Sequence, residues 1–428
     1  MISPLMQPGR RVLAQVIFGG AALAISARAD GFGPISVHGS LSAMAAYSDR
    51  YGYLGDTARR ADIAVTELTV NGNYRFENGV RIGAQIYAYE LADYNDVSLD
   101  FASVDYSFSE RIGVRVGRNK HAFGLYGDVQ DVDMLRPFAL LPLDFYDKRT
   151  RPNSAAIDGV SLYGNIPVGA GSVDYQLDAG WIPQPDAAAP YFRDVSSSSP
   201  IDINAFSAMP ILNAHAIWNT PIEGLRFGGT IVSLNDFSFR GRMRTAAELS
   251  LTLSDARLLP WALPAGMWDA AVAGQTGRAD IDYLAWYLSA EYTRGDWQFS
   301  VEGMQTDVEQ VATMPVLGSA ASTAQSESYY AMVTWQAAPR LGLGTYYGIA
   351  HGDRHDRDGS ALLSVPGHTT WLKDFAVAAS YQLADWWLVK AEVHALDGTK
   401  GVPAIGNGDA ATWKPRWSYF ALKSTISF

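Results

Sequence analysis

The chain has 428 residues, 48% hydrophobic and only 18% charged, with no cysteine and a net charge of −11 at pH 7. Ordinary soluble domains carry roughly 25% charged residues. The apolar content excludes a disordered chain, and the missing cysteines exclude disulfide scaffolds, thiolate metal sites and thiol catalysis. The acidic balance argues against a nucleic-acid partner.

The N-terminus reads as an address. Arg10 and Arg11 precede an apolar run from Val12 to Ile25 broken only by Gln15, and Ala27-Arg28-Ala29 supplies a small-x-small cleavage pattern. A secretory signal peptide over residues 1–29, cleaved after Ala29, is expected; the apolar run is too short to cross a roughly 30 Å hydrocarbon layer. The residues flanking Arg10-Arg11 match twin-arginine export poorly. Cleavage removes three arginines and no acid, taking the net charge to −14 on a single domain, residues 30–428.

From there the pattern has period two. Val173, Tyr175, Leu177 and Ala179 alternate with Asp174, Gln176 and Asp178; Trp387, Val389, Ala391 and Val393 oppose Lys390, Glu392 and His394. A helix would scatter these charges around its circumference, whereas a strand separates them onto one face. Sixteen such segments are predicted, at about 34–47, 61–76, 80–90, 97–108, 112–119, 155–165, 172–182, 210–219, 225–234, 281–293, 297–304, 327–337, 341–350, 369–383, 386–396 and 414–428. Most reach the nine or more residues that a tilted strand needs to span a bilayer. The phase slips near Ala102, which predicts a bulge.

Tight turns such as Glu77-Asn78-Gly79 and Arg294-Gly295-Asp296 alternate with longer segments at 48–60, 91–96, 120–154, 183–209, 235–280, 305–326, 351–368 and 397–413. Residues Gln310 to Ser326, interrupted by Pro315, read as loop. A soluble sandwich has no reason for this asymmetry. A membrane-spanning sheet must have no free edge, because lipid offers no hydrogen-bond partners. The predicted fold class is therefore all-β: a closed antiparallel transmembrane β-barrel of about 16 strands, with short periplasmic turns and long outer loops. The apolar face then meets lipid, with Tyr292, Trp297, Trp335, Trp386 and Trp387 in an interfacial girdle and Lys373 snorkelling at the opposite end.

The C-terminal run Tyr419-Phe-Ala-Leu-Lys-Ser-Thr-Ile-Ser-Phe428 resembles the terminal signature of Gram-negative outer-membrane proteins, with Ser424 departing from its apolar alternation. The strand count and long third loop resemble the sixteen-stranded porins, and Gly117-Arg-Asn-Lys-His-Ala-Phe-Gly-Leu-Tyr126 is similar to the strand-to-loop junction of phosphate-selective and related porins. The resemblance implies an outer-membrane diffusion channel for small hydrophilic solutes or ions, surrounded by lipid and lipopolysaccharide. It further implies recognition of Phe428 by the barrel-assembly machinery, a homotrimer, and a third loop folded inward to narrow the pore.

Sixteen strands enclose a lumen too wide for side chains to fill. The inferred inward set includes Thr69, Asn71, Asn73, Arg75, Arg81, Gln85, Arg115, Asp174, Asp178, Arg226, Glu291, Glu302, Asp374, Lys390, Glu392 and Lys423. Such charges are tolerable in water and ruinous in a dry core. Loop 120–154 carries Asp128, Asp131, Asp133, Asp144 and Asp147 with Arg136, Lys148, Arg149 and Arg151, and Leu135, Phe138, Leu140, Leu141 and Leu143 to pin it to the wall. Its carboxylates are expected to face Arg75, Arg81 and Arg115 across a constriction, as charged rings that set ion preference do. Inward acids and bases balance, so the sign of that preference stays open. No cofactor or catalytic motif is expected: Asp128, Asp131 and Asp133 lack a full calcium pattern, the 351–358 acid–histidine run reads as a solvated loop, and no local motif supports a barrel hydrolase. The alternative is a receptor or adhesin barrel acting through loops 183–209 and 235–280.

Overall fold

The computed structural model describes residues 35–428 except 93, 198, 253–263 and 363–364. The expected signal segment lies outside the described residues. Seventeen strands follow in order: β1 (Ile35–Ser48), β2 (Asp62–Arg75), β3 (Val80–Leu91), β4 (Tyr94–Ser109), β5 (Ile112–Lys120), β6 (Ala156–Val168), β7 (Gly171–Ile182), β8 (Ile201–Phe206), β9 (Met209–Asn219), β10 (Leu225–Met243), β11 (Thr276–Arg294), β12 (Trp297–Met314), β13 (Gly318–Ala338), β14 (Leu341–His351), β15 (Trp371–Ala384), β16 (Trp387–Gly398) and β17 (Arg416–Ser427). All ladders are antiparallel, and β1 pairs with β17 from Ser40↔Ser427 to Ser48↔Tyr419, closing the sheet. β8 and β9 lie end to end against the upper and lower halves of β10. They form one stave, so the barrel has sixteen.

The alternation read from sequence becomes the two faces of this wall. On β16, Lys390, Glu392 and His394 are at most 3% exposed, whereas Val393 is 46% exposed on the outside. Leu177, Ile231, Leu288, Val377 and Leu422 continue the exposed apolar face around the barrel. At the end carrying the short turns, Trp297 stacks on Trp335 at 5.2 Å and Trp386 lies beside Trp387. At the other end Lys373 holds its ammonium 4.7 Å from the Trp371 ring centroid. That is the expected arrangement of interfacial aromatics and a snorkelling cation.

Four local readings change. The expected loop at 305–326 is the top of a long hairpin, with β12 running to Met314 and β13 starting at Gly318. Its residues are mostly Ser, Thr, Ala and Gln and exposed, so no apolar face marks the strand. Cross-strand pairs such as Thr306–Ser326 and Gln325–Asp307 hold it instead. The expected loop at 91–96 shrinks, since β3 ends at Leu91 and β4 begins at Tyr94. Parts of loops 183–209 and 235–280 are also strand: β8 and the ends of β10 and β11, with short helices, enclose an apolar cluster that includes Ile203, Phe239, Met243 and Trp268. The bulge falls at Asp100, where Gln85 pairs with Phe101 but Ile86 pairs with Leu99.

The closing β1–β17 ladder ends in a tight contact. Gly39 and Phe428 exchange backbone hydrogen bonds of 2.9 and 3.0 Å, and a Cβ on Gly39 would sit 2.4 Å from the Phe428 ring and 2.6 Å from the Thr69 carbonyl oxygen. Gly39→Val is therefore expected to displace the terminal ring and deplete the heat-modifiable folded band on a gel. Gly72→Ala, with nothing within 4 Å of its added methyl, is expected to leave that band unchanged.

Candidate functional site: an inner loop and the passage beside it

The chain between β5 and β6 runs through the barrel interior. Its aromatic side, including Phe123, Phe138, Phe145 and Tyr146, packs on Tyr287, Met304, Tyr330, Met332 and Tyr346 of β11–β14. Phe145 meets Tyr330 edge-on at 5.3 Å and Phe138 meets Tyr346 at 5.0 Å. Each fully buried aromatic of this size contributes about 2–3 kcal/mol, so the loop is firmly seated. This corrects two expectations. The inward face is aromatic on the β11–β14 side rather than hydrophilic throughout. Of the five predicted apolar pins, Phe138, Leu140, Leu141 and Leu143 are buried, but Leu135 is 62% exposed.

Polar anchors complete the seat. Glu302 accepts the Leu125 N–H at 2.8 Å and the Tyr146 hydroxyl at 2.6 Å, and the Tyr330 hydroxyl also donates to it. Glu392 accepts the N–H groups of Ala139 and Leu140, both at 3.0 Å. Between them Asp133 receives Arg136 at 2.6 Å, Lys390 and Lys423 at 3.2 Å each, and the Thr425 hydroxyl at 2.7 Å. Lys390 also donates to the carbonyl oxygens of Asp133, Arg136 and Phe138. Lys423 reaches Glu67 as well, which is shared with Lys148. Burial pushes the Lys148 ammonium down to about 7 against the pull of Glu67, with Lys423 and Arg136 adding to the downward push.

The predicted loop carboxylates divide. Asp131 accepts Lys120 at 2.7 Å and Gln85 at 2.6 Å, with Arg151 at 3.6 Å. Asp144 pairs with Lys400. Asp147 holds Arg149, which also lies 3.8 Å from Asp194 and over the Tyr53 ring. None of these meets Arg75, Arg81 or Arg115. Asp147 takes its neighbour Arg149 and Asp131 takes Lys120 at the end of β5, whereas Asp144 reaches Lys400 across the chain. Asp128 alone among the five lines a cavity with Arg81 and Arg115.

Burial alone would raise the Asp131 carboxyl, but Lys120 and Arg151 hold it down at about 2. A depressed carboxylate contributes stability above its ordinary value near 4, and that contribution is lost as pH falls through about 2. It is on the order of 2 kcal/mol. The loop is thus expected to remain seated at pH 4 and to loosen only near pH 2, seen as a loss of near-UV circular dichroism from its packed aromatic rings confined to the lower pH.

The space left open lies on the opposite side of the barrel. One cavity of about 270 Å³ is lined by Asn73, Arg81, Phe101, Ser103, Asp105, Arg115, Lys120, Asp128 and Gln176. A second, of about 340 Å³ and sharing Asn73 and Arg81, is lined by Ser36, His38, Tyr74 and Arg75. Together they run along β1–β5 toward the turn end. The bulge at Asp100 helps shape them: it turns Asp100 inward onto Gln85 at 2.7 Å and Arg151 at 2.8 Å. Sequence reading missed Asp105. Register places it directly between Arg81 and Arg115, a signal legible once the bulge is located.

No family model and no curated protein sequence matches this chain. Solved structures do. The anion-selective porin from Comamonas acidovorans superposes with a TM-score of 0.54 at 10% identity, covering 92% of this chain and 99% of that one. OprB of Pseudomonas putida gives 0.53 at 11% identity, covering 96% and 97%. The outer-membrane channel DcaP of Acinetobacter baumannii gives 0.52 at 10%, covering 92% and 97%. The chain has the closed sixteen-stranded barrel fold of the outer-membrane porins.

Proposed function

We propose that the protein is an outer-membrane porin, a passive diffusion channel for small hydrophilic solutes or ions, exported by residues 1–29. The observation that carries this reading is the pair of adjoining polar cavities beside the inner loop, inside a closed wall with an apolar outer face. Charged, open space inside a lipid-facing cylinder suits passive diffusion of hydrophilic solutes. In this reading loop 120–154 is the constriction element. Arg75, Arg81, Arg115 and Asp128 line the passage, while Asp131, Asp133, Arg136, Asp144 and Arg149 hold the loop in place. The chain closes on Phe428, the residue offered to the barrel-assembly machinery, and assembles as a homotrimer among lipid and lipopolysaccharide.

Purified protein in a planar bilayer is expected to give discrete conductance steps, and a heat-modifiable oligomer on a gel is expected from the trimer. The receptor alternative would act through loops 183–209 and 235–280, which the buried cluster around Phe239, Met243 and Trp268 holds in order. Bilayers that stay silent at high protein concentration would favour it.

A further inference from the structure

The polar cavities beside the inner loop end blindly. Every stave carries a buried inward side chain at the level of the loop, from Ser42 on β1 to Lys423 on β17. On β1 the inward series runs from exposed Ser36 and His38 near the turns to Ser42 at 5% exposure. On β3 it runs from exposed Arg81 to Gln85 at 4%. The space opens to the turn end and is shut toward the outer loops.

The seal is thick around most of the wall. From β6 round to β15 it is the aromatic seat of the loop, and around β17 and β1–β3 a second buried cluster packs Leu140 and Leu143 with Tyr53 and Tyr419. Among the sixteen staves, only β4 and β5 contribute no buried residue to either cluster. Here the seal is one polar layer, with Phe101 and Ser103 half-buried below it and Ser98 and Ser154 half-buried above. Gln85 Nε2 donates to Asp100 at 2.7 Å and to Asp131 at 2.6 Å. Lys120 donates to both Asp131 oxygens at 2.7 Å, and Arg151 to Asp100 at 2.8 Å. Gln85, Asp100, Asp131 and Arg151 are at most 8% exposed.

This layer is also the part free to move. Leu125 is fixed by Glu302, and Asp133 by its buried cations. Between them, among the described residues, every hydrogen bond from residues 127–132 to the wall runs through Asp131. Its departure strands no cation, because Asp100 keeps Arg151 and lies 3.7 Å from Lys120. Arg151 Nε is buried without a hydrogen bond among the described residues, and an unsatisfied donor disfavours the closed arrangement.

We propose that this layer is a gate: Asp131 latches the inner loop to β3–β5 and shuts the passage toward the outer face, and its swing into the cavity below opens it. The inference rests on the channel reading and adds that the passage is closed at rest. Loop motions of this size take nanoseconds to microseconds, faster than a bilayer recording follows. The wild type is therefore expected to pass a small, steady current.

The test uses the full-length protein in planar bilayers in KCl. Asp131→Asn keeps the shape but gives up the charge that Lys120 binds, and is expected to raise the mean conductance about tenfold. Gln85→Ala removes the bridge without touching a charge and should raise it too. Gln85→Cys with Asp131→Cys then allows closure on demand. A short bifunctional methanethiosulfonate should abolish its current and dithiothreitol restore it, while the monofunctional methyl reagent should leave it flowing. Conductance equal to the wild type in both Asp131→Asn and Gln85→Ala would overturn the gate and leave the channel standing. So would current that persists once mass spectrometry shows the bridge formed. Silence of the wild type and of both variants, with the folded band intact, would overturn the channel reading and the gate with it.

Discussion

Asp133→Ala is expected to release the inner loop and turn a steady channel into a noisy, more conductive one. The carboxylate meets Arg136, Lys390 and Lys423 in a setting where all four side chains are at most 4% exposed. Removing one partner from a buried ionic cluster costs about 3–5 kcal/mol, mostly from the charges left uncompensated. Lys423 retains Glu67 at 3.0 Å, but Lys390 and Arg136 retain only carbonyl oxygens. The cations then repel one another, and the segment around residues 133–140 leaves the wall. Single-channel recording reads this as larger and fluctuating current, and chymotrypsin as new cleavage after Phe138, which is buried in the wild type. The barrel's backbone ladders do not pass through Asp133, so the folded band on a gel should persist.

Glu302→Gln is expected to free the other end of the loop. The amide matches the carboxylate in shape but replaces one acceptor oxygen with a donor. Glu302 faces three donors, the Leu125 N–H and the hydroxyls of Tyr146 and Tyr330; the amide offers them one acceptor oxygen, so either the Leu125 N–H loses its partner or the two hydroxyls must stop donating and turn to accept. An unsatisfied buried group costs about 1–3 kcal/mol. Glu392→Gln should act likewise on Ala139 and Leu140. Each single variant is expected to raise current noise modestly. The double variant should approach Asp133→Ala, because the two anchors hold one loop from opposite ends. A double variant as quiet as the wild type would show that aromatic packing alone seats the loop.

The barrel was legible because its cause is local. Alternation such as Val389-Lys390-Ala391-Glu392 is written within a few residues, and turn length alternates along the chain for the same physical reason throughout. Strand ends faded where the cause fades: Ser319 to Gln325 stands where neither face needs to be apolar, so no contrast marks it. Phe138, Leu140, Leu141 and Leu143 are buried as their pattern suggests, and Arg75, Arg81, Arg115 and Asp128 line the two polar cavities. The ion pairs were not legible. Asp133 finds Lys390 at a separation of 257 positions and Lys423 at 290, and nothing short of the closed register brings those strands to one loop. Asp105 lay between the two cases: its neighbours follow from strand pairing, but only after the bulge is moved from Ala102 to Asp100.

In the proposed channel, solutes pass on the β1–β5 side of the inner loop, while aromatic packing seals the β11–β14 side. The chain has no cysteine, so single cysteines report position without background. With a charged thiol reagent added during bilayer recording, Asn73→Cys, on the passage, is expected to react quickly and cut the current. Met332→Cys, beneath the loop at 2% exposure, is expected to stay inert. Rapid block through position 332 with no effect at position 73 would contradict this route.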